Sequence, residues 1–106
     1  MTRVRCQAVR WVSDEPQPGW VEVQLIDADG AVWSLFDKPP VFDADDRLTP
    51  DAAYPLEVEL DCEIVCRQAD ASGRDLITIS TQRPWSVETE TGRDQFRVAL
   101  SQLVGV

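Results

Sequence analysis

Apolar and polar residues alternate along most of this chain with a period of two, the pattern of strands that bury one face. The longest such stretch runs from Leu56 to Cys66, where the even positions are Leu, Val, Leu, Cys, Ile and Cys. The odd positions between them are mainly Asp and Glu. This alternation predicts a strand over residues 56–66 in which the even side chains from Leu56 to Ile64 are buried and their odd neighbours face solvent.

Further segments show strand signals and are separated by turn-forming residues. They comprise residues 3–12, 20–26, 31–36, 76–81, 85–90 and 96–100. In the first of them the alternation slips by one position after Ala8, which predicts a bulge or a bend. The longest connection, residues 41–55, is polar, and within it residues 49–53 suit a single helical turn that is too short to count as a helix.

The strand count and the lack of any long amphipathic helix pattern predict an all-β fold in a single domain spanning residues 1–106. We expect a small antiparallel barrel or sandwich of about six or seven strands, with little or no helix. The barrel is favoured, because the strand predicted over residues 56–66 is long enough to bend across two sheets.

The net charge of the chain indicates which class of partner it would attract. The chain has 19 acidic and 10 basic residues and a net charge of −9. This excess repels phosphate backbones and anionic lipids, so we expect neither nucleic-acid nor membrane binding, whereas a basic protein would be attracted. No apolar run is long enough to span a membrane, and no apolar stretch follows the basic residues near Met1, so we expect a cytoplasmic protein.

The residues that usually carry chemistry are scarce. There is no His and no Gly-rich phosphate loop, so we expect neither a cofactor nor an enzyme. Cys62 and Cys66 would lie roughly 13 Å apart along one strand, too far for a disulfide, and their spacing does not suit zinc. Buried structural thiols are favoured, while a pairing of Cys6 with either of the others stays open. Closely spaced Asp residues at 27–29 and 43–46 resemble turns more than a metal site.

Two features are candidates for binding a partner. The first is an acidic stripe formed by Glu57, Glu59, Asp61 and Glu63 on the odd face of the longest strand, which could steer a basic protein. The alternative is that a neighbouring strand neutralises it, for which Arg3, Arg5 or Arg97 would serve. The second is Trp20, which is out of phase with the apolar positions that follow it and so is a candidate interface anchor or a cap over the core.

These patterns together predict a non-enzymatic binding protein that recognises another, basic protein, such as an inhibitor or immunity-type protein. An accessory β module of a larger enzyme assembly, or one that associates with itself as a homo-oligomer, is the first alternative. A small hydrolase or isomerase that uses carboxylates is the second.

Overall fold

Two antiparallel sheets make up most of the chain. The computed structural model describes all residues from 1 to 106. Its strands are β1 (Arg3–Ser13), β2 (Trp20–Ile26), β3 (Val32–Asp37), β4 (Leu56–Asp61), β5 (Glu63–Ala69), β6 (Asp75–Ser80), β7 (Gln95–Ala99) and β8 (Leu103–Val104). A short helix, α1 (Pro39–Phe42), and a 3-10 turn (Leu100–Gln102) complete the regular structure. The predicted all-β class is confirmed.

The predicted closed barrel is wrong. The first sheet has the order β3-β2-β1-β4, with β8 also paired to β1, and the second has the order β5-β6-β7. A barrel needs a continuous ladder at every strand edge. Here β7 reaches the turn between β2 and β3 through a hydrogen bond from the Ala28 N–H to the Arg97 carbonyl, 2.8 Å long, and no ladder forms there.

One core lies between the two sheets. Strands β1, β2 and β4 contribute alternate side chains to it, and β6 and β7 contribute theirs from the other sheet. Its 18 buried residues are Val4, Cys6, Ala8, Val21, Val23, Leu25, Leu35, Phe42, Leu48, Val58, Leu60, Cys62, Ile77, Ile79, Val87, Phe96, Val98 and Leu103. Because the contributing strands alternate between buried and more exposed side chains, the period of two in the sequence corresponds to this layer.

The long strand predicted over residues 56–66 passes from one sheet to the other. Val58, Leu60 and Cys62 are buried as predicted, but Ile64 is 43% exposed and Cys66 is also exposed, so the burial predicted for them is wrong. The chain leaves the first sheet after Asp61 and continues as β5, an edge strand with a bulge between Ile64 and Cys66. No layer covers β5, and all seven of its residues are exposed.

The slip in alternation after Ala8 marks a real irregularity. The pairing of β1 with β2 shifts between Ala8 and Arg10, and again between Trp11 and Ser13, which confirms the predicted bulge. The bent end of β1 lays the Trp11 ring over Gly19, whose φ is +134°. A Cβ at Gly19 would lie 2.2 Å from the ring, so only glycine fits there.

The strand predicted over residues 85–90 does not form. Ser86 has a φ of +54°, a conformation that an L-residue adopts at a cost and that interrupts an extended chain. The Thr81 hydroxyl donates a 2.6 Å hydrogen bond to the Val87 carbonyl, which holds the segment beside β6 without a ladder. Val87 and Thr89 are still buried. The alternation therefore indicated their burial correctly, although they are not in a strand.

Helix is confined to short pieces. Residues 49–53 form only a turn, closed by a 3.2 Å hydrogen bond from the Ala52 N–H to the Thr49 carbonyl. The four-residue helix α1 lies instead at the prolines that end β3, where it directs Phe42 into the core. Neither this helix nor the 3-10 turn has the length or the apolar character to cross a membrane.

Truncating Leu60 tests the register of β4. Leu60 has no exposed surface, whereas Ile64, four residues further along the same predicted face, is 43% exposed. Leu60→Ala is therefore expected to lower the free energy of unfolding by about 2–5 kcal/mol. Ile64→Ala should change it by less than about 1 kcal/mol. Urea unfolding of both variants gives these values, and equal losses would contradict the position at which the chain leaves the core.

Candidate functional site

The largest hollow on the surface is an acidic groove between β4 and the segment of residues 40–47. It has a volume of about 550 Å³. Its carboxylates come from both walls and are Asp43, Asp45, Glu57, Glu59 and Asp61. Two guanidinium groups, those of Arg3 and Arg47, also line it. Five carboxylates against two guanidinium groups leave an excess of three negative charges.

The groove runs along an open strand edge. Strand β4 pairs with β1 on one side and with no strand on the other. The Glu57 carbonyl points to this free side, where it accepts a 3.0 Å hydrogen bond from Arg47 Nη2. In an antiparallel strand alternate residues direct their N–H and C=O groups to the same side. The main-chain groups of Glu59 and Asp61 therefore also face the groove.

An ion pair fixes the opposite wall. The buried Asp43 carboxylate accepts hydrogen bonds from the Arg47 N–H at 2.8 Å, from Nη2 at 3.0 Å and from Nε at 3.2 Å. Burial alone would raise the pKa of Asp43, but the hydrogen bonds and charge of Arg47 outweigh it and hold the pKa below its usual value. Because Arg47 also binds the Glu57 carbonyl, the pair ties residues 43–47 to the edge of β4.

The acidic stripe is divided, and arginines of the same chain neutralise part of it. Glu59 forms a 3.0 Å ion pair with Arg3, and Arg5 lies directly opposite Glu59 in the ladder. Glu63 lies on β5, outside the acidic groove, and pairs with Arg83 at 3.3 Å. Both pairs are exposed to solvent, so each contributes little to stability and leaves the carboxylates accessible.

The remaining arginine expected to neutralise the stripe does not do so. Arg97 forms its ion pair with Asp29, at 3.0 Å, in the turn between β2 and β3. Within the groove, Glu57 and Asp45 form no ion pair with any arginine or lysine of the chain. Asp61 forms none either, so these three carboxylates supply the uncompensated charge of the groove.

Trp85 brings an aromatic surface to the acidic groove. It is 46% exposed, and its indole Nε1 donates a 3.1 Å hydrogen bond to Asp61 Oδ2. This bond fixes the ring beside the stripe while leaving much of it open to solvent. An aromatic ring held among carboxylates suits the alkyl stem and charged head of a Lys or Arg side chain.

Trp20 belongs to a different hollow. It is half-buried and lies with Val12 and Phe36 near Glu88 and Glu90, in a hollow of about 540 Å³. In the ladder Trp20 pairs with Ser13 of β1, whereas Glu57, the nearest stripe residue, pairs with Gln7, so the two lie roughly 20 Å apart along the strand. The two features that the sequence suggested therefore do not form one site.

Sequence reasoning missed half of the acidic groove. Asp43, Asp45 and Arg47 lie in the long polar connection, where their spacing indicated only turns. Trp85 lies at the start of the strand predicted over residues 85–90, which does not form. The preceding proline was the one signal of an exposed turn, since it disfavours a place within a strand ladder.

No cysteine lines the acidic groove. No three His, Cys, Asp or Glu side chains are grouped so as to hold a metal ion. All three cysteines are free thiols, so Cys6 pairs with neither of the others. Burial, aided by the nearby Cys62, raises the pKa of the Cys6 thiol to about 12. Burial, aided by Asp61, raises that of Cys62 to about 11.

No protein-family model matches the chain, and neither a curated protein nor a solved structure matches it.

Thiol labelling tests the exposure of the cysteines. Cys66 is exposed, whereas Cys6 and Cys62 are buried and protonated at neutral pH. Because the thiolate is the reactive form, the native protein should react with one equivalent of a thiol reagent and the unfolded protein with three. Mass spectrometry locates the label. Fast native labelling at Cys6 or Cys62 would contradict the burial of these two thiols.

Replacing Asp43 tests the ion pair that fixes the wall. Asp43→Asn is expected to lower the free energy of unfolding by about 1–3 kcal/mol at pH 7, because it weakens a buried, charge-assisted set of hydrogen bonds. The pKa of Asp43 is lower in the folded chain, so its stabilisation is present above the unfolded pKa of about 3.9 and is lost as the pH falls through the folded value.

The difference between wild type and this variant should therefore shrink between pH 7 and pH 3. Urea unfolding at both pH values measures it. Asp51→Asn is the control, since Asp51 is exposed and forms no ion pair. A loss for Asp43→Asn that does not depend on pH would show that its charge is irrelevant.

Proposed function

We propose that the protein is a non-enzymatic binding protein that takes a basic segment of another protein into the acidic groove. One observation carries this proposal: the β4 carboxylates of the stripe, the unpaired Asp45 carboxylate and the exposed ring of Trp85 line the same groove. Each of them alone would be an ordinary surface feature. Together they offer a cationic side chain an ion partner and an aromatic face at one place.

The charge of the whole chain supports a basic partner. A net charge of −9 produces a negative potential around the protein, and the groove concentrates it between two walls. Such a field accelerates the approach of a basic protein and disfavours acidic ones. The exposed carboxylates then govern the association rate, and the aromatic contact governs how long the complex lasts.

The open edge of β4 favours an extended segment as the bound element. The main-chain groups of Glu59 and Asp61 face the groove, so an added strand could exchange hydrogen bonds with them. In this form of recognition the main-chain bonds supply affinity, and side chains at alternate positions supply specificity. A segment with basic residues at every second position would direct them toward the acidic stripe.

The functional form that we propose is an inhibitor or immunity-type protein. A small acidic domain of this kind acts by covering a basic site on a larger protein, which requires no catalytic group of its own. The support for it is the charge and shape of the groove, combined with analogy to this class of protein.

Charge reversal in the groove tests the proposal. The variant Asp45→Lys/Glu57→Lys changes two exposed carboxylates that form no ion pair. The control Glu88→Lys/Glu90→Lys changes the net charge equally but beside Trp20. With a synthetic lysine- and arginine-containing peptide as the probe, the groove variant should associate roughly tenfold more slowly or worse, and the control much less so.

The salt dependence of binding and the circular dichroism of the variants are the controls for this experiment. Raising the ionic strength to about 0.15 M should weaken wild-type binding, because exposed charges are then screened over roughly 8 Å. Circular dichroism should show that both variants keep the β fold, since the changed side chains are exposed. If both variants slow association equally, the protein attracts cations through its net charge alone and the groove is not the site.

Trp85→Ala tests whether the aromatic ring sets the dissociation rate and not the association rate. Removing the ring should speed dissociation of the peptide about tenfold while leaving the association rate nearly unchanged, since an aromatic anchor contributes mainly after contact. Trp20→Ala is the matched control, because Trp20 lies in the other hollow. If Trp20→Ala speeds dissociation more than Trp85→Ala does, the binding site lies at the far end of β1.

A further inference from the structure

The free edges of the two sheets differ in how they are protected. Exposed sheet edges invite pairing with another chain, and proteins usually block them with bulges, charges or covering loops. β5 carries a bulge, β4 faces the acidic groove and is capped by Arg47, and β7 is held by the turn between β2 and β3. Strand β3 has no bulge, and no hydrogen bond caps its free edge, although Arg93 stacks on Trp33 and Glu88 and Glu90 lie near Phe36.

The edge of β3 offers a regular set of main-chain groups. The hairpin is closed by a hydrogen bond from the Asp27 N–H to the Ala31 carbonyl, so the next pair along the ladder, Ile26 and Val32, is one that does not exchange hydrogen bonds. By the same alternation, the N–H and C=O groups of Val32, Ser34 and Phe36 point away from β2. None of the turn, loop or side-chain hydrogen bonds of the chain reaches them.

The side chains beside this edge are apolar. Val32 is 54% exposed, and Ile26, directly opposite it on β2, is 50% exposed. At the other end of the same face, Phe36 and Trp20 line the same hollow. The strand reads Val-Trp-Ser-Leu-Phe-Asp and has a charged residue only at its end. An apolar, unbulged edge of this kind is suited to strand pairing.

We propose that β3 pairs with β3 of a second copy of this chain, antiparallel, across a two-fold axis at Ser34. Ser34 then faces Ser34 of the second copy, and Val32 faces Phe36 of the second copy. All of these residues direct their main-chain groups to the edge, so each pair exchanges both hydrogen bonds. The two first sheets become one sheet that runs through the dimer, as in an isologous interface.

The pattern of side chains selects this register. It sets a β-branched residue against an aromatic one on the outer face, a favourable cross-strand pair that occurs twice by symmetry. It also places Asp37 opposite Ala31 and brings Lys38 beside Gly30 and Asp29 of the second copy. Lys38 forms no ion pair within its own chain, and Asp29, which already pairs with Arg97, carries the opposite charge. Moving one copy by two residues would place Val32 opposite Lys38 instead.

The dimer should be weak and should respond to salt. A ladder of five residues lies at the small end of specific interfaces. Each copy carries a charge of −9, so the copies repel at low ionic strength. Screening reduces that repulsion while leaving apolar contacts and main-chain bonds intact, so added salt should strengthen the dimer. Salt weakens peptide binding in the acidic groove, so the two interactions are distinguishable.

Sedimentation equilibrium over a range of concentrations tests the proposal. The wild type should change reversibly from monomer to dimer, and Val32→Lys should weaken the dimer roughly tenfold or more. Val65→Lys is a matched control, because Val65 is 51% exposed and lies on the edge of β5. A wild type that stays monomeric at every concentration would overturn the proposal. This holds even if the edge of β3 pairs with a strand of a different protein.

Disulfide trapping tests the register independently. In a Cys66→Ser background, Ser34→Cys should form a disulfide-linked dimer under mild oxidation, because hydrogen-bonded pairs hold their Cα atoms about 5.5 Å apart. Val32→Cys alone should not cross-link, whereas a mixture of Val32→Cys and Phe36→Cys should. Efficient cross-linking of Val32→Cys to itself, or of the wild type through Cys66, would refute this interface.

Discussion

The pairing of β1 with its neighbours is the constraint on which the rest of the structure depends. Three strands hydrogen-bond to it: β2 along its second half, β4 along its first half and β8 at its start. Val4, Cys6 and Ala8 are consequently fixed against the core, while Arg3 and Arg5 project from the opposite face. The six-residue ladder with β4 then sets which carboxylates stand beside which arginines.

Local alternation predicted most of the first sheet. Residues 3–8, 20–26 and 56–61 have the period of two that a half-buried strand requires, and the structure places their apolar positions inside. The alternation could not predict that Ile64 is exposed, because a strand face is buried only where another layer covers it. It could not predict the left-handed conformation of Ser86 either, since the alternation of side chains carries no information on that angle.

Only one wall of the acidic groove could be predicted from neighbouring residues in the sequence. The stripe on β4 was predicted, because its residues share one strand face. The opposite wall was not, since Asp43 and Arg47 reach β4 only after the long connection folds back onto it. Trp85 comes from 24 residues beyond Asp61, and no pattern in the sequence links the two. A groove between distant segments is a property of the topology, so its members are recognised only in the folded chain.

The arginine content has a consequence for how the charge of this protein can be altered. Nine of its ten basic residues are Arg, whose guanidinium groups stay protonated at any physiological pH and are not acetylated as a lysine is. Lys38 is the sole side-chain amine. It lies between the end of β3 and the helix that leads into the acidic groove. Amine-directed acylation would therefore remove a single side-chain charge, at the point where the free strand edge and the wall of the groove meet.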